Sequence, residues 1–597
     1  MNNGFEHISL RINADMTFAT RDFFCTIETT LTAGFCCFGG LAITTSGGWF
    51  RSTPIQDTNT TAKDIVNGVN PKTAQIRIWT TSAASVKRPS RPSSGILEAY
   101  HCTQYPKEVA MPFTIRQIPP NATLASQLTV DIFADTIPAA SIDEVLIATG
   151  CVEQRHRRLT MRAMVWLIIA MNIWTHCAIP TVYRHLTRGL RWLWPTEPPP
   201  PMPQSSAFTY RRYQLGARPL HALMRRLCRP RATHATPGAF LFGLRLMAMD
   251  GTTEDVTDTA ANAHSFGRPG SRRGPGAFPQ AKLLYLIACG THTIVDAGIW
   301  PCRTSEWAVG KRLLRSVEAG MLLLWDCGFH SYALLTAAHE RGAQILGRIG
   351  KHLRPTVQTV LDDGSALVTI VPANHGRVPK APGMTLRMIS YQLSMPTLGD
   401  PTTVHRLVTT LLDPVQYPAR ALICAYHERW EIEVMIDEID THQRATQPRF
   451  RSQKPVGVIQ EFYGLVLAHY AIRAVMHDAG TRVALDPDRI SFVLAVQEIQ
   501  ATLREFQQTS HVDHARLYTR LLDACLSAVL PKRRFRCNPR VVKQKMSTFL
   551  RKGPEHAHGA QLAGCFDDAI CRVTLTGEAI RDPGRCPPIQ WTQRHSG

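Results

Sequence analysis

The sequence predicts a mixed α/β protein in which a sheet core carries a β-strand-rich insertion and is preceded by a small, basic, all-α domain. Three observations point there. Apolar runs of strand length recur between Ala239 and Ile349, with helical patterns between the later ones. The stretch from Lys351 to about Pro414 then reads as strands again, marked by the hairpin "TVQTVLDDGSALVTIV" with Asp363-Gly364 at its turn. Ahead of both, residues 116–195 combine helical periodicity with clustered arginines.

At 597 residues the chain is long enough for several domains with sizeable cores, since a domain usually takes roughly 100 to 200 residues. A formal net charge of +21 and a pI near 9.6 favour a polyanionic partner, nucleic acid before a membrane surface. Two apolar stretches, Leu31 to Ile43 and Ala163 to Ile173, fall short of the roughly 18 to 20 residues a spanning helix needs. The first also lacks the basic flank of a secretory signal. No membrane association is expected. The 16 cysteines include no CxxC pair, and Cys565, Cys571 and Cys586 lack the spacing of a zinc site. Reduced cysteines and a cytoplasmic location follow as expectations.

Residues 1–115 are rich in Thr, Ser and Gly and show no sustained period; they are expected to be an extension upstream of the working protein, with Met111 as its start. In 116–195, "SIDEVLIATG" opens with a Ser cap and ends on Gly150, the apolar stretch to Ile173 makes a buried helix, and "PTVYRHLTRGLRWL" a third. Arg155, Arg157, Arg158, Arg184, Arg188 and Arg191 are candidates for phosphate contact, against the plainer reading of a solvated basic face, while Trp192 and Trp194 are expected to pack. In 196–238, "PTEPPPPMPQ" is a stiff linker and "YRRYQLGARPLHALMRRLCRPR" a further basic helical piece. The core opens over 239–350 with a strand ending at Asp250, a loop from Asn262 to Pro269, strands at Lys282 to Ala288 and Thr293 to Ile299, a helix, a strand ending at Asp326, a helix, and a strand at Gln344 to Ile349. Three strands followed by helix and strand alternation suggest a ribonuclease-H-like sheet. The insertion occupies 351–415, the last core helices 416–480, and a basic region 481–597. Within that region Pro531 to Gly553 holds nine Lys or Arg and no acid, which makes Lys532, Arg533, Arg534 and Lys543 candidate phosphate contacts. The loop "HSFGRPGSRRGPG" offers Arg268, Arg272 and Arg273 to nucleic acid, with a flexible basic loop as the alternative.

Three acids carry the chemistry. Asp250 closes the apolar run of "MAMDGTT", Asp326 closes Met321 to Trp325 in "MLLLWDCGF", and Glu433 lies on the helix "YHERWEIEVMIDEID". Carboxylates gathered in one place repel one another and need a strong counter-charge, which divalent metal supplies. Mg²⁺ takes hard oxygen ligands, and two ions about 3.5 to 4 Å apart can activate the nucleophile and stabilise the leaving oxygen of a phosphodiester. The expectation is therefore two Mg²⁺, for which Mn²⁺ can substitute, with Asp250 bridging and Asp326 and Glu433 each completing one ion. On the helix, Tyr426, Arg429, Glu433, Asp437 and Asp440 fall on one stripe beside Ile432, Met435, Ile436 and Ile439. A surface helix with Arg429–Glu433 pairing would explain that stripe alone, but not the two aspartates at strand ends. Asp296, His442 and His469 take structural readings, as polar strand or turn positions and local hydrogen-bonding groups.

The segments "DGTTEDVTDT", "NAHSFGRPG", "LLLWDCGFHSYALL" and "YHERWEIEVMIDEIDTH", continued by "RSQKP", "QEFYGLVLAHYAIRAVMH", "DPDRISFVLAVQEI" and "NPRVVKQKMS", resemble in sequence and order the insertion-sequence-four group of bacterial DDE transposases, from about residue 125 to about 552. The resemblance implies a DNA transposase that binds the inverted-repeat ends of its element as a homodimer or higher multimer, cuts there, and joins the ends to target DNA. It implies a nucleoid-associated protein with no small-molecule substrate. It also implies that Tyr426 and Arg429 are the tyrosine and arginine of the group's Y-R-E-K signature, contacting phosphate at the transposon end; a guanidinium suits this because its planar fork offers two donors.

The chain departs from the pattern at three places. The lysine of the signature, seven residues after the glutamate, is Asp440, an anion expected to repel the DNA backbone. Cys327 stands where relatives often carry Arg. The insertion contains no Trp, and Tyr391 is its only tyrosine, whereas relatives that cleave through a DNA hairpin hold a flipped base on an aromatic there. Asp440 and Cys327 make a catalytically weakened DNA-binding remnant one rival to an active transposase; a host nuclease on the same fold, cutting DNA without preference for paired inverted ends, is a second.

Overall fold

The computed structural model describes residues 113–531 apart from 156, 272–273, 351–352, 354, 373–381, 394–403 and 445–448, together with strand residues 41–45, 74–78, 536–537, 542–543, 550–551, 560–561, 570–574 and 579–580. Contacts divide the chain into two compact units, Met1–Glu108 and Val109–Gly597. In the first, Leu41–Thr45 pairs antiparallel with Ala74–Ile78; the rest of the N-terminal extension lies outside the described residues.

The second unit is organised on one large sheet. Its strands are β1 (Leu244–Val256), β2 (Gln280–Ala288), β3 (Thr293–Pro301), β4 (Met321–Trp325), β5 (Gln344–Arg348), β6 (Thr356–Val360), β7 (Ala366–Ile370), β8 (Met384–Leu393) and β9 (His405–Thr409). They lie in the order β6-β7-β8-β9-β5-β4-β1-β2-β3. An antiparallel β1-β2-β3 meander continues through β4 and β5, both parallel to β1. This is the ribonuclease-H-like arrangement expected from the strand order. The expected hairpin forms as β6-β7, with Gly364 at φ 86°. Because β9 pairs antiparallel with β5, the insertion prolongs the core sheet instead of forming a layer of its own.

The helices are α1 (Ala139–Ala148), α2 (Met161–Ala170), α3 (Ile179–Trp192), α4 (Ser205–Leu215), α5 (Arg218–Leu227), α6 (Ala260–Phe266), α7 (Glu306–Leu313), α8 (Tyr332–His339), α9 (Ala419–His427), α10 (Trp430–Asp437), α11 (Pro455–Arg482), α12 (Phe492–Gln508) and α13 (His514–Cys525). Alternation along the strands gives each face of the sheet its own core. Met247, Met249, Leu323 and Trp325 meet Leu313 of α7 and Leu335 of α8. Leu246, Ala248, Leu322 and Leu324 join a larger cluster with the remaining helices.

The apolar helix expected near Ile173 is α2, buried along its length and capped by the Thr160 hydroxyl, which accepts from the Ala163 N–H. Its polar neighbour Asn172 is satisfied rather than exposed: the side-chain amide donates to the Ile168 carbonyl, and the Asn172 backbone carbonyl accepts from the Gln443 side chain. Helix α11 is buried over most of 28 residues and packs against α2, β3, α12 and α13. Three local expectations fail. The segment from Asn262, expected as a loop, opens inside helix α6, where the Thr259 hydroxyl accepts from the Asn262 N–H. Helix α1 begins at Ala139 after Pro138, so Ser141 lies inside the helix and caps nothing. Trp192 ends α3 and is 65% exposed, because the apolar stripe of that helix, Val182, Tyr183, Leu186 and Leu190, faces the other way. Among the described residues no helix is long and apolar enough to cross a membrane.

Candidate active site

Strand register brings the two aspartates together. Ala248 of β1 lies beside Leu324 of β4 in a parallel pair, so two residues further on Asp250 stands beside Asp326. Both project to the face of Leu246, Ala248, Leu322 and Leu324, the face that α10 covers. Asp250 is not at a strand end, as its apolar run suggested. β1 continues to Val256 on bonds to β2, from Gly251 opposite Leu284 to Asp255 opposite Gln280. What ends there is β4, at Trp325, and the acid occupies the edge thus freed. Close approach fixes Gly251, where a Cβ would fall 2.8 Å from the Leu283 carbonyl oxygen.

Each acid is held by its surroundings. The Gly251 N–H donates to Asp250 Oδ1 at 2.8 Å, and the Gly328 N–H donates to Asp326 Oδ1 at 2.7 Å, capping the turn Cys327–Phe329. Arg429 Nη1 donates to Asp250 Oδ2 at 3.0 Å, and its Nη2 donates to Glu433 Oε1 at 2.8 Å. One guanidinium therefore ties a strand acid to a helix acid. Burial pushes the Asp250 carboxyl up to about 6; the Gly251 N–H and Arg429 oppose this, and the charges of Asp326 and Glu433 add to it. Three hard carboxylates outnumber the one guanidinium bonded to them, which fits a divalent cation held by Asp250, Asp326 and Glu433. Tyr426 is half-buried beside Arg429, and burial raises its hydroxyl far above neutral pH, so it stays a donor.

The stripe read from the sequence breaks after Asp437. Glu438–Gln443 forms a π-helical turn, and the widened turn rotates everything beyond it. Asp440 consequently leaves the site and meets a buried group: Arg444 Nη1 lies 3.6 Å from Asp440 Oδ1 and 2.7 Å from Glu254 Oε2, and the Arg444 guanidinium sits over the Phe450 ring. Burial, then the adjacent Glu254 carboxylate, push the Asp440 carboxyl well above the usual carboxylate range. An acid paired with Arg444 away from the triad, its proton held more tightly than usual, is not the DNA-repelling anion that its position implied. The cation missing at the exposed Cys327 has a counterpart too. Gly347 pairs with Trp325, so Arg348 on β5 stands next to Asp326, exposed and without an ion pair among the described residues.

The remaining candidates scatter. Arg184 and Arg188 are exposed on α3, and Arg155, Arg157 and Arg158 on the loop before α2. Arg268 is engaged within its own loop, pairing with Asp258 and donating to the Ala277 carbonyl. Lys532, Arg533, Arg534, Arg272 and Arg273 lie outside the described residues, while Lys543 belongs to a two-residue strand paired at Leu550. Tyr391 is buried and stacked on His405, so it offers no face to a base. Asp296 is fully buried against Arg225, Arg315 and Ser316 and takes the structural role expected of it. His469 bonds to Glu438, and His442 lies 3.8 Å from Asp437. Sequence reasoning missed Glu254, Arg348, Arg444, Glu431 and Glu438. Of these, Glu254 was legible, since an offset of four along a strand returns to the face of Asp250.

Two family descriptions match the chain: insertion element 4 transposase N-terminal over residues 127–225, and transposase DDE domain over residues 241–471. The Escherichia coli (strain K12) transposase InsG for insertion sequence element IS4 is 27% identical over 414 residues, 69% of this chain and 91% of that protein. The putative transposase InsZ of the same organism is 25% identical over 218 residues, 35% of this chain and 68% of that protein. A solved structure of piggyBac transposase in a synaptic complex with hairpin DNA is a distant likeness, with 12% identity and a TM-score of 0.32 over 70% of this chain and 88% of that one. The ordered motifs, the sheet that sets Asp250 beside Asp326, and matches spanning both the helical and the core regions place this chain in the insertion-sequence-four group of DDE transposases.

Proposed function

We propose that Asp250, Asp326 and Glu433 hold two divalent ions, Mg²⁺ or Mn²⁺, and that the transposase uses them to nick the inverted-repeat ends of its element, expose a 3′ hydroxyl and join it to target DNA. The observation that carries the reading is Arg429, which ties Asp250 to Glu433 beside Asp326. Ions held there would activate water or the 3′ hydroxyl and stabilise the leaving oxygen.

The side chains supply the rest. Arg429 and Arg348 flank the acids and offer guanidinium donors to the end phosphate, and Tyr426 adds a hydroxyl that stays protonated. Arg184 and Arg188 bind the backbone of the end away from the reacting phosphate. The protein acts in the bacterial cytoplasm on the nucleoid, as a homodimer or higher multimer that pairs two ends. The test is cleavage of DNA carrying the flanking inverted repeat by the purified full chain with Mg²⁺ or Mn²⁺, beside an Asp250→Ala control. Metal-dependent nicking lost in the control is expected. Tight end binding with no nicking would move the reading to a DNA-binding remnant.

A further inference from the structure

The helix that carries Glu433 is short and interrupted on both sides. α9 ends at His427, α10 spans only Trp430–Asp437, and a π-helical turn follows. The backbone stays right-handed helical through Glu428, Arg429 and Glu438, but its winding changes at each junction, and a metal-ligating carboxylate must be held within about 0.5 Å of its productive position. Glu433 cannot do this itself, since its carboxylate is partly exposed and its partner is Arg429.

The opposite face of the helix carries two further acids. Glu431 lies about 200° around from Glu433, and Glu438 follows seven residues after Glu431 on the same side. Both are buried, Glu431 at 1% exposure and Glu438 at 6%. Both are fastened to the turn between β2 and β3. The Gly290 N–H donates to Glu431 Oε2, and His292 Nδ1 lies 3.0 Å from Glu438 Oε1. From the other side, α11 closes on Glu438 with Arg473 Nε at 2.9 Å and His469 Nε2 at 3.2 Å. The turn itself is costly to form. Gly290 takes φ 81°, and a Cβ there would fall 3.0 Å from Ala239; His292 takes φ 49°, a region a non-glycine residue enters only when its surroundings hold it.

We propose that Glu431 and Glu438 are positioning residues that clamp the catalytic helix to the β2–β3 turn and so fix where Glu433 is presented to metal. The inference rests on the assignment of Glu433 as a metal ligand. It requires Glu431 to act through the acceptor it offers to Gly290, so Glu431→Gln, which keeps an acceptor oxygen, and Glu431→Ala, which removes it, must differ.

The experiment measures three quantities on the full chain: Mn²⁺ affinity by titration calorimetry, the rate of end nicking at saturating DNA, and end-DNA affinity in chelator. Glu431→Ala is expected to weaken Mn²⁺ binding and nicking by tenfold or more, with end-DNA affinity within twofold of the parent, and Glu431→Gln to recover most of both losses. His292→Asn serves where Glu431→Ala does not fold, because asparagine tolerates the left-handed backbone; a several-fold loss of Mn²⁺ affinity is expected there. Unchanged Mn²⁺ affinity in folded variants, or equal losses for Ala and Gln, overturns the clamp. If the parent and Asp250→Ala bind Mn²⁺ equally, the metal assignment fails instead, and the two failures are distinct.

Discussion

Replacing Arg429 by glutamine removes the one cation shared by Asp250 and Glu433 and leaves a side chain of similar length. The contacts are 3.0 and 2.8 Å, and near a protein surface each is worth about 5 to 6 kcal/mol of direct attraction. Desolvation cancels most of this. Because the side chains of Arg429, Asp250 and Glu433 remain 16, 20 and 35% exposed, the net destabilisation expected from Arg429→Gln in chelator is about 1–3 kcal/mol. What is lost is counter-charge, so a divalent ion should restore it. An ion at a hundred times its dissociation constant adds about 2.7 kcal/mol, and the gain should be larger in the variant, where no guanidinium competes for the same oxygens. The assay is thermal denaturation of parent and variant in chelator and in saturating Mg²⁺. A greater Mg²⁺-induced rise in Tm for Arg429→Gln is expected. Equal rises would refute the idea that Arg429 and metal address the same carboxylates.

Asp440 is pushed up to about 8 by burial and by Glu254, so the folded protein holds a proton there that the unfolded chain has released. Its contribution to stability is full at acid pH and is lost as pH rises toward 8. Asp440→Asn should flatten that decline in urea melts run between pH 5 and 8; an unchanged slope would show that Asp440 is ionised in the fold. Converting Arg184 and Arg188 to alanine should reduce the slope of log affinity against log salt for end DNA by roughly 2, with the nicking rate at saturating DNA retained. A normal slope would remove α3 from the DNA surface. Gly251→Ala puts a methyl 2.8 Å from the Leu283 carbonyl; it should cost about 1–3 kcal/mol and depress nicking as β1 and β2 part at Asp250, and a variant as stable and active as the parent would contradict that spacing.

Much of the core was legible because its information is local. The apolar runs ending at Asp250 and Asp326 needed only alternation and length, and Asp363-Gly364 announced the β6-β7 hairpin by turn chemistry alone. What failed depended on tertiary context. Nothing in "VMIDEIDTHQ" announces a π-helical turn, so counting at a uniform 100° carried Asp440 into the site when the fold turns it toward Arg444. The role of Arg348 depends on a parallel register, β5 against β4, which no short window of sequence contains. Glu431 and Glu438 read as ordinary charges beside Ile432 and Ile439 until Gly290 and His292, over a hundred residues earlier, arrive to receive them.

The long helix α11 meets α2 on one side and β3 on another, and it also carries His469 and Arg473, which grip Glu438 beyond the end of the catalytic helix. The helical domain, through α2, and the helix that presents Glu433 are thus mounted on a common axle. Under the end binding proposed above, a strain from an ill-fitting end that reaches α2 is passed to α10 through this one rod, so fidelity to the correct end would be enforced at the chemical step without any separate proofreading element.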